Sequence, residues 1–139
     1  MLCRRMIVLA AAAAALWDVP TTSWSQTLDY AAFKSSVQPI FITRRPGHSR
    51  CVVCHAGANN SFRLERLQSD GTFSEESSRK NFETVSHLVV PGHPEQSRIL
   101  IYPLAPEAGG DAYHSGGRQW ESKDDPAWQA IARWVNGQK

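Results

Sequence analysis

Two methionines are all that this sequence of 139 residues contains, and both, Met1 and Met6, stand within its first six positions. Any role that needs a thioether side chain farther along is excluded. Cysteine is nearly as scarce: Cys3, Cys51 and Cys54 are the three thiols. That number rules out a scaffold stapled by several disulfides, and the lack of a second cysteine pair leaves no four-ligand zinc site of the usual spacing. Neither sign of charge dominates. The formal net charge of +2 leaves no electrostatic footprint for nucleic acid, and no block of like charges reads as an interaction tail. A membrane-crossing run is missing as well, because the unbroken apolar stretch from Met6 to Leu16 is about half of the roughly twenty residues a bilayer core requires.

What stands at the N-terminus instead is the pattern of an export signal. Arg4-Arg5 gives a positive start, Met6 to Leu16 the apolar stretch, and Ser23-Trp24-Ser25 the small residues read at a cleavage site. Residues 1–25 are expected to be a signal peptide cut before Gln26, leaving residues 26–139 as one domain, a size ordinary for a single core. Retention as an uncleaved anchor is the alternative that the short apolar stretch argues against. Cys3 precedes that stretch and so is not a lipid-attachment cysteine. Cleavage removes both methionines and Cys3, and Cys51 and Cys54 become the only thiols.

The mature part reads as helical, with no convincing alternating run. Tyr30, Phe33 and Val37 fall at helical spacing after Asp29, and Pro39 is expected to end that helix. A second helix is announced at residues 72–75, with Thr72 as cap and Glu75 reaching back. Its buried face is Phe82, Val85 and Val89, and Pro91-Gly92 stops it. A short helix is expected over residues 97–102, then a long loop over residues 103–123 with the glycine pairs 109–110 and 116–117. Loops of that length in small domains are usually functional. The last helix has the plainest boundaries: Asp124 or Asp125 as cap, Pro126 in the first turn, Gly137 beyond the end, and a stripe of Trp128, Ile131, Trp134 and Val135.

Cys51-Val52-Val53-Cys54-His55 carries the chemistry. This is C-x-x-C-H, the attachment signature of a c-type haem. Two intervening residues set both thiols on one helical turn, where each can add to a vinyl group, and the adjacent imidazole is aimed at the iron. A thioredoxin-like pair would need a preceding strand in a β-α-β setting, a zinc site more ligands, and a plain disulfide leaves His55 without a role. The expected cofactor is therefore one covalent haem c, with His55 as the proximal ligand.

The sixth ligand is open to four histidines. A methionine is excluded once the signal is cleaved. His114 lies in the long loop, flanked by glycines that let the backbone approach closely, and it is the favoured choice. His93 in Pro91-Gly92-His93-Pro94 reads as a turn residue, His87 as a solvated helix residue, and His48 as too near Cys51 to reach across. Five-coordinate iron is the remaining option. Arg44, Arg45 and Arg50 read first as a solvated loop and second as partners of the haem propionates.

On these residues the chain resembles small mono-haem cytochrome c domains of the class I type. The likeness extends over most of the mature sequence, from the first helix through Cys51–His55 to the helix bearing Trp128 and Trp134. More narrowly, residues 91–97 and His114-Ser115-Gly116-Gly117 look like stretches of bacterial cytochrome c domains of the planctomycete and acidobacterial sort. The resemblance implies an all-α fold packed around one haem, its first and last helices crossing. It also implies electron transfer in the periplasm with unidentified redox partner proteins rather than enzymatic catalysis. The missing methionine is the departure from the pattern. A five-coordinate haem protein that binds a small ligand or acts as a peroxidase is the alternative function.

Overall fold

The computed structural model describes residues 27–138; the expected signal segment and its cleavage point before Gln26 lie outside the described residues. Helices and turns make up these residues, and no strand occurs among them beyond three isolated bridges. The all-α expectation holds at that level.

The first helical segment is built in three parts: α1 (Tyr30–Ala32), a π-helical turn (Phe33–Val37) and α2 (Gln38–Ile42). Asp29 starts it, its carboxylate accepting from the Ala32 amide at 2.7 Å. Phe33, Val37 and Phe41 recur every four residues and are buried. Pro39 does not end the helix, contrary to the expectation. A proline removes one donor and crowds the carbonyl four residues back. The wider π turn just before it absorbs that mismatch, and Pro39 then occupies the first turn of α2, where its missing N–H costs nothing.

After α3 (Cys51–His55), the chain reaches α4 (Glu75–Ser86), which starts at a different residue from the one expected. Ser74 is the cap, its hydroxyl accepting from the Ser77 amide at 3.0 Å; the Thr72 hydroxyl instead donates to Asp70 at 2.7 Å. The face of α4 that meets the body is partly polar. Ser78 and Asn81 are buried beside Val85, while Phe82 is half-buried. Gln38 donates to the Ser78 hydroxyl at 3.0 Å, and Asn81 accepts from the Glu65 amide at 2.8 Å, so these side chains tie α4 to two neighbouring segments.

Short α5 (Arg98–Ile101) contributes Ile99 and Leu100 to the core, and α6 (Pro126–Val135) closes the chain as its sequence foretold. Asp125 caps it, Pro126 opens it, and Trp128, Ile131, Trp134 and Val135 are all buried. Gly137 ends it with φ of +69°, a conformation glycine adopts without strain. Trp134 joins the last helix to the first: its ring centre lies 5.5 Å from that of Phe33, and its indole N–H donates to the Asp29 carbonyl at 2.8 Å.

Residues 103–123 are mostly loop, with one 3₁₀ turn at Pro106–Ala108. Backbone hydrogen bonds stitch the two ends of this stretch together. The Ala105 amide donates to the Trp120 carbonyl at 2.9 Å, and the Gln119 and Trp120 amides both donate to Pro103. The loop is thereby closed at its base and free to project a side chain from its tip. Among the described residues no helix is long and apolar enough to cross a membrane.

Candidate functional site

α3 is only five residues long, and it is held by Val52, which is buried in the core. Burying that one side chain turns the other residues outward from the core. Val53 is 62% exposed, while Cys51, Cys54 and His55 line a cavity of about 520 Å³. The two thiols are free and stand three residues apart, on one face of the turn. Burial pushes the Cys51 thiol up to about 11, so it is held in its neutral form.

The chain following α3 folds back on His55. The Leu64 amide donates to the His55 carbonyl at 2.9 Å, and the Gly57 amide to the Leu64 carbonyl at 2.8 Å. This return brings the Phe62 carbonyl to 2.9 Å from His55 Nδ1. A carbonyl can only accept, so Nδ1 carries the proton and Nε2 keeps its lone pair. Burial lowers the His55 pKa, against the opposing pull of the Phe62 carbonyl and the Asn60 side chain, and the nearby His114 lowers it further. The neutral, ligating form is thus the favoured one.

His114, which lines the same cavity, repeats the arrangement. Its Nδ1 lies 2.6 Å from the Gly117 carbonyl, three residues ahead on the same loop, and by the same argument Nε2 is the atom left with a lone pair. The planes of the two imidazoles are parallel within 6°, and their centres are 6.4 Å apart. The centre-to-centre distance also matches two rings sharing one metal ion, since two metal–nitrogen bonds of about 2 Å, with each ring centre about 1 Å behind its nitrogen, sum to about 6 Å.

The other histidines stand apart from this cavity. His87 and His93 are exposed, His93 lying 3.2 Å from Glu95, and His48 closes a turn with the Arg45 carbonyl. Of the five histidines, His55 and His114 alone line the cavity. Among the described residues there is no group of three or more His, Cys, Asp or Glu that could hold a metal ion. A bare ion that takes four protein ligands is therefore poorly served here, whereas an ion already held in an equatorial ring needs only the two imidazoles.

A small recess opens beside Cys51, lined in part by Arg45, Arg50, Gln119 and Trp120. Two buried donors are without a hydrogen-bond partner on its walls, Arg45 Nη1 and Trp120 Nε1. Unpaired buried donors are costly, and these two leave the recess short of an acceptor atom. Arg45 is not the solvated residue its sequence context suggested. Its Nη2 pairs with Asp125, the cap of α6, and the two side chains are only 26% and 17% exposed. Arg44 and Arg50 remain exposed. Trp120 escaped the sequence reading altogether, because a lone tryptophan outside any periodic stripe gives no signal.

The residues present thus fit a haem. The cavity is of cofactor size, and its apolar walls include Phe41, Leu88, Ile99 and Trp120. Two thiols, two parallel imidazoles and two orphaned donors match, in kind, what the group's vinyl, iron and carboxylate parts require. No protein-family model, no curated protein and no solved structure matches the chain.

Proposed function

We propose that this chain is an exported, mono-haem c-type cytochrome that transfers single electrons. In this reading Cys51 and Cys54 would hold the haem covalently, His55 and His114 would supply nitrogens to its iron, and the helices would form a class I cytochrome c-like shell around it. One observation carries the reading: two imidazoles that line one cavity, each with Nδ1 tied to a carbonyl, set parallel with centres 6.4 Å apart. Two independent surface histidines have no reason to share a plane orientation, a cavity and a tautomer.

When bound, the haem supplies a one-electron couple at iron. The chain's own residues do the rest. Phe62 and Gly117 hold the imidazoles through their carbonyls and make them better donors to a metal. Arg45 and Trp120, with their unpaired N–H groups beside Cys51, would be the donors available to a haem carboxylate. The apolar wall keeps water from the ring. Two imidazoles hold the potential below that of a methionine-ligated relative, since methionine raises it. The export signal makes the bacterial periplasm the working compartment, and redox proteins there the partners.

The test is to mature the full chain in a periplasm that attaches haem, then to record its mass and its pyridine haemochrome spectrum. The expected product begins at Gln26, carries the mass of one added haem, and shows a low-spin spectrum that turns high-spin in His114→Ala. A colourless protein with the mass of the bare polypeptide would end this reading.

A further inference from the structure

The two proposed axial ligands are held very differently. His55 sits on α3, pinned by buried Val52 and by the Leu64 and Ala58 amides that donate to its carbonyl. His114 sits on residues 112–118, none of which is buried. The ends of this segment are fixed, Asp111 donating to the Ile101 carbonyl and Gln119 to the Pro103 carbonyl. Between those anchors the hydrogen bonds stay local. Tyr113 donates to Asp111, Gly117 to the His114 carbonyl, and the His114 ring bonds Gly117. The remaining ties are ion pairs of exposed Arg118 with Glu107 and Glu121. Such contacts are worth little, and Tyr113 at the tip, at the rim of the cavity, is 93% exposed.

We infer that residues 112–118 are a hinged strap that carries His114 off the metal as a unit, and that the vacated position binds a small neutral diatomic molecule. The inference rests on the haem reading above. Lifting the strap breaks no core contact, and segments of this kind open at low free-energy cost. Its internal turn travels with it, so the His114 tautomer is ready for reclosure. The wall to which the strap's ends are pinned contributes Ile99, Tyr102 and Pro103 to the cavity. Arg98, on the same segment, lies over the Tyr102 ring, and the choice of a neutral molecule follows from ferrous iron, which binds neutral diatomic molecules in preference to anions. The incoming molecule replaces one neutral donor atom with another at ferrous iron, so no electron or proton is consumed.

Carbon monoxide added to the dithionite-reduced, haem-loaded protein is the probe. Binding is expected to speed up with carbon monoxide concentration and then level off, because strap opening becomes limiting. In His114→Ala the plateau disappears, and binding at low carbon monoxide is faster by about tenfold or more. In hydrogen exchange, the Gly117 amide is expected to exchange while the Leu64 and Gln129 amides stay protected. A protein with a two-imidazole low-spin spectrum that binds no carbon monoxide overturns the strap and leaves the haem reading standing. Equal rates in wild type and His114→Ala, or exchange of strap and core amides together, also overturn it. Absence of a pyridine haemochrome overturns both.

Discussion

The imidazole planes of His55 and His114 are parallel within 6° although about half of the described sequence separates the two residues. Each ring is oriented by a carbonyl close to it in sequence, Phe62 for one and Gly117 for the other. If both rings bind the iron of the proposed haem, their parallel planes would act on one member of the iron dπ pair and split that pair strongly. The ferric protein should therefore give a rhombic low-spin electron paramagnetic resonance signal. A strongly axial signal, the signature of crossed rings, would contradict the geometry even if both histidines bind.

Cys51 gives a pH test of covalent attachment. In the haem-free chain burial pushes its thiol from the ordinary value of about 9 up to about 11. The folded form is the weaker acid, so stability is full below about pH 9 and falls as the unfolded chain ionises between about pH 9 and 11. At about 1.4 kcal/mol for each pH unit, the loss reaches roughly 2–3 kcal/mol. Urea unfolding across that window should show the decline in the haem-free chain and not in Cys51→Ala. A thioether cannot ionise, so the haem-attached protein should lack this component as well. Identical pH profiles for the haem-free chain and Cys51→Ala would remove burial as the cause.

Much of this was legible in the sequence, and the parts that were not share a reason. The boundaries of α6 could be read because Asp125, Pro126 and Gly137 act locally, and its stripe because Trp128, Ile131, Trp134 and Val135 repeat at the helical period. Cys51, Cys54 and His55 were legible as a contiguous motif. Pro39 misled because proline excludes regular α-helix before it, yet a π turn is a local escape that leaves no mark in the pattern. Ser78 and Asn81 gave no sequence signal of burial, since their partners, Gln38 and the Glu65 amide, arrive from elsewhere. Arg45 was misread for the same reason: its counter-charge, Asp125, lies eighty residues away. His114 could be picked out by its loop and glycines, but its ring orientation needed the Gly117 carbonyl in three dimensions.

Two glycines of the long loop should separate scaffold from ligand. A Cβ at Gly110 would lie 1.9 Å from the Leu104 carbonyl oxygen, a backbone clash that cannot be relieved by a rotamer. Gly110→Ala should cost more than about 3 kcal/mol and lower the thermal midpoint of the whole domain. At Gly116 the nearest atom is His114 Cε1 at 3.1 Å, the edge of a ring on an exposed strap. Gly116→Ala should leave the midpoint nearly unchanged, within about 0.5 kcal/mol, and instead shift the low-spin spectrum by displacing the ring. Equal effects of the two substitutions on stability would show that the strap is part of the cooperative core.

Asp125 has two partners, and two substitutions can divide them. Its Oδ1 accepts from the Ala127 amide at 2.8 Å and caps α6, while Oδ2 pairs with Arg45. Asp125→Asn keeps a competent cap and removes the charge, leaving the half-buried guanidinium without its anion. Asp125→Ala removes both. Capping is worth about 1 kcal/mol, and stranding a half-buried cation costs part of the roughly 3–5 kcal/mol seen when fully buried pairs are broken. Chemical denaturation should therefore rank wild type above Asp125→Asn and Asp125→Ala lowest, with the larger step at the loss of charge. A propionate in the recess would give Arg45 a second anion, so that larger step should shrink in the haem-loaded protein compared with the haem-free chain. A charge step of the same size in both forms would mean that Arg45 gains no anion when haem is attached.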